Sequence, residues 1–409
     1  MAHSIKRISI QQLQPGMFLH DLNCGWMEHP FLRNRFMIRE ESQIQKIREA
    51  GIQEIYIDTE KGLDVSDAPT EEEVRQSLER EMIEIIASGP TIPVKVELNA
   101  ELVRATHIRD QAQRLVHDVM QDIRLGKAVE LERINPMVQD ITESVLRNGG
   151  ALMTLLRIKN KDDYTFLHSV SVSTLLIAFC RALGMDLDTT REAGIGGLLH
   201  DTGKAFISDA ILNKPGRLSE EEFEIIKRHS DDGWNVLQKT PGIGPIPLHI
   251  TRHHHERVDG SGYPDSLNGE QISQLAKMGA IVDVYDAITA DRVYHKGMSA
   301  TDALRKLYEW SKSHFEPSLV QAFMRCVGIY PVGALVRLES GKLGIVVEQN
   351  EADLLTPKIK AIFSTKSNGY IKPYMVDLSR SMGYGGADRI VGHEDPHAWN
   401  VDILHFMGT

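Results

Sequence analysis

Histidines and acidic residues recur in several short stretches of the chain, in types and spacings that could bind metal. The stretch from His253 to Pro264 reads HHHERVDGSGYP and holds three imidazoles and two carboxylates. Further nitrogen and oxygen ligands lie in separate stretches, at His168, His200, Asp201, His229 and Asp283. A mixed set of imidazoles and carboxylates suits borderline first-row metals better than Mg²⁺ or Ca²⁺. The expected chemistry is phosphoester hydrolysis, because two metal ions bridged by an Asp can activate a water for attack on phosphorus.

Each of these residues also has an ordinary structural explanation. A His-Asp dipeptide alone indicates little, since His117-Asp118 also occurs, off the apolar stripe of its predicted helix, where we expect it to be solvated. His168 alone would more often be a hydrogen-bonded core histidine, and His229 alone a surface residue. The histidines that begin at His253 could be a solvated run. Their combination on consecutive predicted helices favours one shared metal site over these separate explanations.

Asp283 and Asp286 stand one helical turn apart in the apolar stretch GAIVDVYDAIT. Unpaired carboxylates buried there would cost several kcal/mol, so a cation must meet them. A nearby Lys or Arg would satisfy this requirement as well as a metal ion would. For Asp283 both alternatives stay open at this point.

Composition limits the classes of function. The chain has 409 residues and a formal net charge of −11, which argues against general binding of nucleic acid polymers. Its three cysteines, Cys24, Cys180 and Cys326, are scattered and form no CxxC pair, as is typical of a reducing compartment. The first residues lack an apolar signal-peptide core, and the apolar run around 174–180 is too short to span a bilayer. We therefore expect a cytoplasmic protein with no membrane span.

Hydrophobic periodicity predicts a mainly α protein in four segments. Residues 1–65 read as a small α+β module, and 66–134 as a helical connector whose apolar stripe ends at Gly126. Residues 135–330 read as a helical bundle, whose first helix should begin at Asn135-Pro136 and stop at Gly149-Gly150. A later helix that begins at Ser219 should carry His229. Residues 331–409 read as a short β-rich appendage that opens with a hairpin turning at 340–342.

The run from Tyr164 to Val327 resembles the HD-GYP family, bacterial phosphodiesterases of the HD superfamily that hydrolyse cyclic di-GMP. Four motifs carry the resemblance: HDTGK from His200, ILNKPGRLSEEE from Ile211, HHERVDGSGYP from His254 and DVYDAITADRVY from Asp283. The third is the most specific. The matching run covers somewhat under half of the chain and implies an HD-type helical bundle. The N-terminal module is similar to a domain of unknown function often found upstream of HD-GYP domains.

The resemblance implies a site for two divalent metal ions, most often Fe or Mn. It makes His168, His200, Asp201 and Asp283 the ligands of one ion, with Asp201 bridging to a second ion held by His229, His254 and His255. Asp286 is expected to support the ligands without binding metal itself. His253 is not a family ligand, and we expect it to pack beside the site.

The family pattern also suggests how substrate is held. Lys204 is expected to act in catalysis, by stabilising the phosphate or helping the leaving oxygen to depart. Arg292 matches a family residue that binds the second phosphate or a guanine. His295 stands where relatives usually carry Lys or Arg, so substrate binding there is in question. Gly262, Tyr263 and Pro264 form the GYP loop, which the family implicates in contacts with diguanylate cyclase domains.

The leading interpretation is hydrolysis of cyclic di-GMP to pGpG, GMP or both. One alternative is an HD phosphohydrolase that acts on another nucleotide, and another is a non-catalytic HD-GYP sensor or scaffold that docks cyclase domains. Some family members bind a third ion through a Glu one turn before the first histidine, where this chain has Tyr164. A phenol with its usual pKa of about 10 is neutral at pH 7 and a poor substitute for that carboxylate. We therefore expect two ions.

Overall fold

The structure is a computed structural model that describes most of the chain. The described residues are 4–24, 31, 35–87, 96–157, 164–214, 216, 218–290, 297–350, 353–380, 388–396 and 398–407. Within these ranges the side chains of Asn99, Arg157, Tyr164, Thr165 and Leu404 are not described. The chain forms two compact units, Met1–Met82 with Arg217–Glu221, and Ile83–Gly216 with Glu222–Thr409.

The first unit is a small α+β fold, as its alternating apolar pattern predicts. Its sheet has the order β1-β4-β2-β3 with antiparallel pairing. The elements are β1 (Ile5–Ser9), β2 (Phe18–Asp21), β3 (Phe36–Met37), α1 (Glu41–Glu49) and β4 (Glu54–Asp58), followed by α2 (Glu71–Ala87). Ile44 and Ile47 of α1 are buried against the sheet core with Leu19, Ile55 and Ile57.

The second unit begins with a bundle of helices. They are α3 (Leu98–Arg124), α4 (Leu131–Arg157), α5 (Tyr164–Ala182), α6 (Leu187–Leu199), α7 (Asp209–Leu212), α8 (Glu220–Lys227), α9 (His229–Leu237), α10 (Pro245–His253), α11 (Gln274–Thr289), α12 (Ala300–Trp310) and α13 (Pro317–Val327). A 3-10 turn, Thr202–Phe206, follows α6. The predicted end of the connector helix near Gly126 is confirmed, since α3 ends at Arg124.

Two predicted helix boundaries are wrong. α4 begins at Leu131, so Pro136 lies in its second turn rather than at its start. The stop predicted at Gly149-Gly150 is confirmed to within one residue, because the backbone of Asn148 leaves the helical conformation (φ −158°, ψ 98°) and divides α4 there. The helix predicted to run from Ser219 through His229 is divided, because α8 ends at Lys227 and α9 begins with His229. Local capping patterns predicted these ends, but packing in the bundle sets them.

The centre of the bundle is α5, which is apolar on all sides and is buried from Leu167 to Cys180. α3, α4, α6, α11 and α13 pack around it. None of the described helices is both long and apolar enough to cross a bilayer. His168 is 4% exposed within α5, and an imidazole buried in a protein interior needs polar partners.

An antiparallel sheet follows the helices. Its order is β8-β7-β6-β5-β9, built from β5 (Leu335–Leu338), β6 (Lys342–Glu348), β7 (Lys358–Ser364), β8 (Gly369–Asp377) and β9 (Ile390–His393), with a short α14 (Ile403–Met407) after it. The predicted hairpin at 340–342 is confirmed by the pairing of β5 with β6. The predicted fold class, a helical bundle between an α+β module and a β-rich appendage, is also confirmed. The finer boundaries at 65, 134 and 330 stay predictions.

Candidate metal centre

Seven predicted ligands meet in the helical bundle and form what we call the ligand cluster. It consists of His168 in α5, His200 and Asp201 just after α6, His229 at the start of α9, His254 and His255 just after α10, and Asp283 in α11. All are buried except His255, whose side chain is 19% exposed. Helix ends and two buried helices, α5 and α11, thus bring together ligands that are spread from residue 168 to residue 283.

One half of the cluster is formed by His168, His200 and Asp283. Nε2 of His168 lies 2.9 Å from Oδ1 of Asp283, and Nε2 of His200 lies 3.8 Å from the same oxygen. One ligand atom from each of the three residues falls within 4.8 Å of the other two. This spacing allows one ion to contact all three side chains.

The other half is formed by His229, His254 and His255, whose ligand atoms also fall within 4.8 Å of one another. Nε2 of His229 lies 3.2 Å from Nε2 of His254. The Nδ1 atoms of both rings lie near backbone carbonyls, which only accept, so each Nδ1 carries the proton and each Nε2 presents a lone pair. Two lone pairs this close favour a cation bound between them.

The Asp201 carboxylate lies between the two halves. Its Oδ2 is 3.3 Å from Nε2 of His200 and 3.7 Å from Nε2 of His168, while its Oδ1 is 3.5 Å from Nε2 of His229. Asp201 therefore directs one oxygen to each half, as a carboxylate that bridges two ions must.

Hydrogen bonds on the far side of each ring fix four of the five histidines. Nδ1 of His200 donates to the Gly197 carbonyl at 2.8 Å, and Nδ1 of His168 lies 2.7 Å from Oδ2 of Asp286. Nδ1 of His229 donates to the Ile226 carbonyl at 2.6 Å. These contacts turn each Nε2 toward the cluster. In metal-binding histidines, a hydrogen bond from the ring nitrogen that does not bind metal has the same effect. Asp286 thus supports His168, as predicted.

Burial and charge set the protonation of the cluster. Burial lowers the pKa of His229 to about 4 and that of His254 to about 3, so both rings are neutral at pH 7. Burial opposes ionisation of Asp201, but His200 and Lys204 hold the pKa of that carboxyl well below its usual range. His229 and His254 are therefore neutral and Asp201 is ionised, which are the forms that bind metal. Burial opposes protonation of His168, but hydrogen bonds to Asp283 and Asp286 raise the pKa of its ring.

Two buried atoms of the cluster have no hydrogen-bond partner among the described residues: Nε2 of His200 and Oδ1 of Asp201. Buried polar atoms without partners are rare in folded proteins, because leaving them unsatisfied costs free energy. Nε2 of His200 belongs to the first half of the cluster, and Oδ1 of Asp201 faces His229 in the second half. The donor set and these atoms together fit a metal centre.

Lys204 lies at the edge of the cluster. Its Nζ is 2.6 Å from Oδ2 of Asp201, and its side chain is 24% exposed, so it faces both the carboxylate and solvent. The 3-10 turn places it there, and Gly203 permits the turn to pack closely. A Cβ at Gly203 would lie 1.9 Å from the His229 carbonyl oxygen. Sequence reasoning did not single out Gly203, although a glycine inside HDTGK was the available signal.

The GYP loop closes one side of the cluster. Gly260 has φ +80°, and a Cβ at Gly262 would lie 2.5 Å from the backbone of Glu256, so the tight turn predicted at these glycines is confirmed. The Tyr263 ring stacks on the His255 ring at 4.7 Å and 27°. His253 lies outside the cluster, with Nε2 3.1 Å from Oδ2 of Asp265, as expected for a residue that packs beside the site.

Several predicted positions are not tested by the structure. Arg292 and His295 lie outside the described residues. Tyr164 is the first residue of α5, but its side chain is not described. His117 and Asp118 are exposed on α3, as predicted.

Comparison with known families agrees with this organisation. A profile of the domain of unknown function DUF3391 matches residues 5–134, which includes the α+β module and the connector. A profile described as HD domain matches residues 151–319. The second match contains all seven residues of the ligand cluster.

Three curated relatives span different shares of the chain. The cyclic di-GMP phosphodiesterase PA4108 of Pseudomonas aeruginosa is 44% identical over 99% of this chain and 96% of its own length. The response regulator RpfG of Xanthomonas campestris, also a cyclic di-GMP phosphodiesterase, is 31% identical over 56% of this chain and 58% of its own. The 3'3'-cGAMP-specific phosphodiesterase 1 of Vibrio cholerae is 38% identical over 35% of this chain and 33% of its own. The chain has an HD domain, a GYP loop beside the ligand cluster, and a relative that is 44% identical over nearly its full length. It therefore belongs to the HD-GYP family, in the group that carries a DUF3391 domain in front.

Proposed function

We propose that the protein is a metal-dependent phosphodiesterase that hydrolyses cyclic di-GMP to pGpG, GMP or both and so lowers the level of this second messenger. The observation that carries the proposal is the Asp201 carboxylate, whose two oxygens face two groups of metal-ligand atoms. The relative that matches nearly the full chain is named for this activity.

The ligand cluster has the composition of a site for two divalent ions, of which Fe or Mn best suits its five imidazoles and two carboxylates. His168, His200 and Asp283 would hold one ion, and His229, His254 and His255 the other. Asp201 would contact both. When bound, such a pair lowers the pKa of a water molecule and neutralises charge on a phosphate.

The residues around the cluster have separate tasks. Asp286 keeps the His168 ring in the orientation that turns Nε2 inward. Lys204 can exchange its contact with Asp201 for a phosphate oxygen or the leaving ribose oxygen, since its side chain reaches solvent as well as the carboxylate. Arg292 would bind the second phosphate or a guanine, and His295 would contact substrate in place of the usual cation.

Nucleotide chromatography tests the proposal directly. Protein purified without oxygen is loaded with Fe²⁺ or Mn²⁺ and incubated with cyclic di-GMP, 3'3'-cGAMP or cyclic di-AMP in parallel. We expect cyclic di-GMP to be converted fastest, to pGpG or GMP. Faster conversion of 3'3'-cGAMP, the substrate named for a relative that matches about a third of the chain, would favour the alternative phosphohydrolase. Tight binding of cyclic di-GMP without conversion by metal-loaded protein would favour the sensor or scaffold.

The GYP loop is also a proposed docking site for diguanylate cyclase domains. Gly262 is buried within the turn, while Tyr263 and Pro264 are partly exposed and could contact a partner. Calorimetric titration of a purified cyclase domain into wild-type protein and into Pro264→Ala tests this interaction. Loss of binding in the variant is the expected result, and equal binding by both proteins would argue against docking at this loop.

A further inference from the structure

His255 differs from the other histidines of the ligand cluster in what fixes its ring. His168, His200, His229 and His254 each place Nδ1 within hydrogen-bond distance of a carbonyl or carboxylate oxygen. Among the described residues no hydrogen bond reaches the His255 ring, whose Nδ1 is 3.9 Å from Oδ2 of Asp283. A ligand ring without such a bond must be oriented in another way.

The ring of Tyr263 supplies the alternative contact. It stacks on the His255 ring with centroids 4.7 Å apart and an angle of 27° between the planes. The Tyr263 amide also donates to the His255 carbonyl at 3.3 Å, so the two residues contact each other through backbone and ring. Within the cluster the His255 ring also contacts His254 at 4.1 Å and His229 at 5.0 Å, and Tyr263 adds the stacking contact from the loop.

The position of Tyr263 depends in turn on Glu256, the residue that follows His255. Glu256 is 3% exposed, and its carboxylate accepts hydrogen bonds from the Asp265 amide at 2.7 Å and the Leu267 amide at 3.0 Å. These amides lie just beyond Tyr263-Pro264. One buried side chain therefore joins the two ends of the loop, with hydrogen bonds of the stronger, charge-assisted kind.

Two residues of α10 contact the outer face of the same segment. Arg252 makes a two-point contact with the Asp265 carboxylate, at 2.9 and 3.1 Å, and His253 lies 3.1 Å from it. This contact is partly exposed, so solvent weakens it. Of the two contacts that hold this segment, the one made by Glu256 is buried, and Glu256 directly follows His255 in the chain.

We propose that Glu256 is a positioning residue of the metal centre. By holding residues 263–267 it keeps the Tyr263 ring on His255, and so fixes the ligand that has no hydrogen bond of its own. This inference rests on the proposed metal site and adds to it a residue that contacts neither metal nor substrate.

Binding of Co²⁺ to the purified full-length protein, followed by its visible absorption, tests the inference without using turnover. In Glu256→Gln the backbone N–H of either Asp265 or Leu267 faces the side-chain NH₂ of the glutamine instead of a carboxylate oxygen. The loop therefore loses one hydrogen bond at nearly constant side-chain volume. We expect the Co²⁺ dissociation constant to rise roughly 10-fold to 100-fold, the range for residues that orient metal ligands, with an altered absorption band. Glu270→Gln, an exposed glutamate on the same loop, is the matched control and should bind Co²⁺ as wild type does.

Tyr263→Leu removes the stacked ring while leaving Glu256 intact. It should give the same altered band, and the double variant should be no worse than the more affected single variant, since both act through one contact. Two results would overturn the inference: Glu256→Gln with a lower melting temperature but wild-type Co²⁺ affinity and band, or additive effects in the double variant. Failure of the wild-type protein to bind Co²⁺ would instead reject the proposed metal site itself.

Discussion

Two His-Asp dipeptides in the same compact unit have opposite surroundings. His117 and Asp118 lie on the outer face of α3, with side chains 48% and 57% exposed. His200 and Asp201 lie at the end of α6, with side chains 1% and 4% exposed. Ring and carboxylate are 3.4 Å apart in the first pair and 3.3 Å apart in the second. Neither the residue types nor the distance between them separates the two pairs.

Burial and neighbours separate them. Imidazoles of the ligand cluster and Lys204 lie around Asp201. Burial opposes ionisation of the Asp201 carboxyl, but these groups hold its pKa well below the usual range. Asp118 is more than half exposed and lies 3.6 Å from Arg133, and an exposed ion pair of this kind contributes little. A carboxylate removed from water interacts strongly with any cation that replaces the water. The same dipeptide is therefore an ordinary surface pair on α3 and a pair of candidate metal ligands after α6.

The largest effect is expected from Asp201→Ala. Its two oxygens lie 3.3 Å from His200 and 3.5 Å from His229, one residue in each half of the cluster, so its loss should abolish hydrolysis and lower bound metal. The fall should exceed the 10-fold to 100-fold typical of residues that only support a ligand. His117→Ala should change neither quantity. Turnover assays with metal analysis of both variants check this, and normal turnover in Asp201→Ala would show that the site is assigned wrongly.

Two lysines extend the comparison. Lys204 lies 2.6 Å from Asp201, and Lys127 lies 2.8 Å from Asp122 on the exposed end of α3. We expect Lys204→Ala to keep its metal while turnover falls about 100-fold or more, because the phosphate or leaving oxygen loses electrostatic or acid help. Lys127→Ala should match wild type in both measurements. If Lys204→Ala lost metal together with turnover, the role of Lys204 would be structural.

A smaller effect is expected from Asp286→Asn. The amide can still accept from Nδ1 of His168, but its charge is gone, which makes that ring a weaker ligand. Metal affinity should fall roughly 10-fold, at the lower end of the range for such partners. Asp118→Asn, next to the exposed His117, should have no effect. Calorimetric titration with Mn²⁺ measures both, and equal affinities would mean that Asp286 does not tune His168.

The sequence predicted most of what depends on periodicity and local motifs. The stripe on α3, the apolar α5, the hairpin between β5 and β6, and the exposure of His117 all follow from patterns within about 20 residues of sequence. The residue types alone favoured one shared metal site, but the assignment of each ligand to one of two ions came only through the family resemblance, because the ligands come from helices far apart in sequence.

Other features depend on packing that no local pattern contains. The break between α8 and α9 frees the Ile226 carbonyl, which accepts from the His229 ring, yet the sequence there reads as one continuous helix. The contact of Gly203 with the His229 backbone joins two elements and is visible only once both are in place. The stacking of Tyr263 on His255 is of the same kind.

The smallest effect is expected at Tyr164, and it concerns the number of ions. Tyr164 begins α5 one turn before His168, on the same side of the helix, where a carboxylate could reach a third ion. A neutral phenol supplies no such ligand. We therefore expect two ions per chain, located by anomalous scattering of protein purified without oxygen, and no change in metal content or turnover in Tyr164→Phe. Tyr164→Glu should allow a third ion to bind. A third fully occupied peak beside Tyr164 in the wild-type protein would show that a phenol, or another group near it, binds a third ion, and would contradict this prediction.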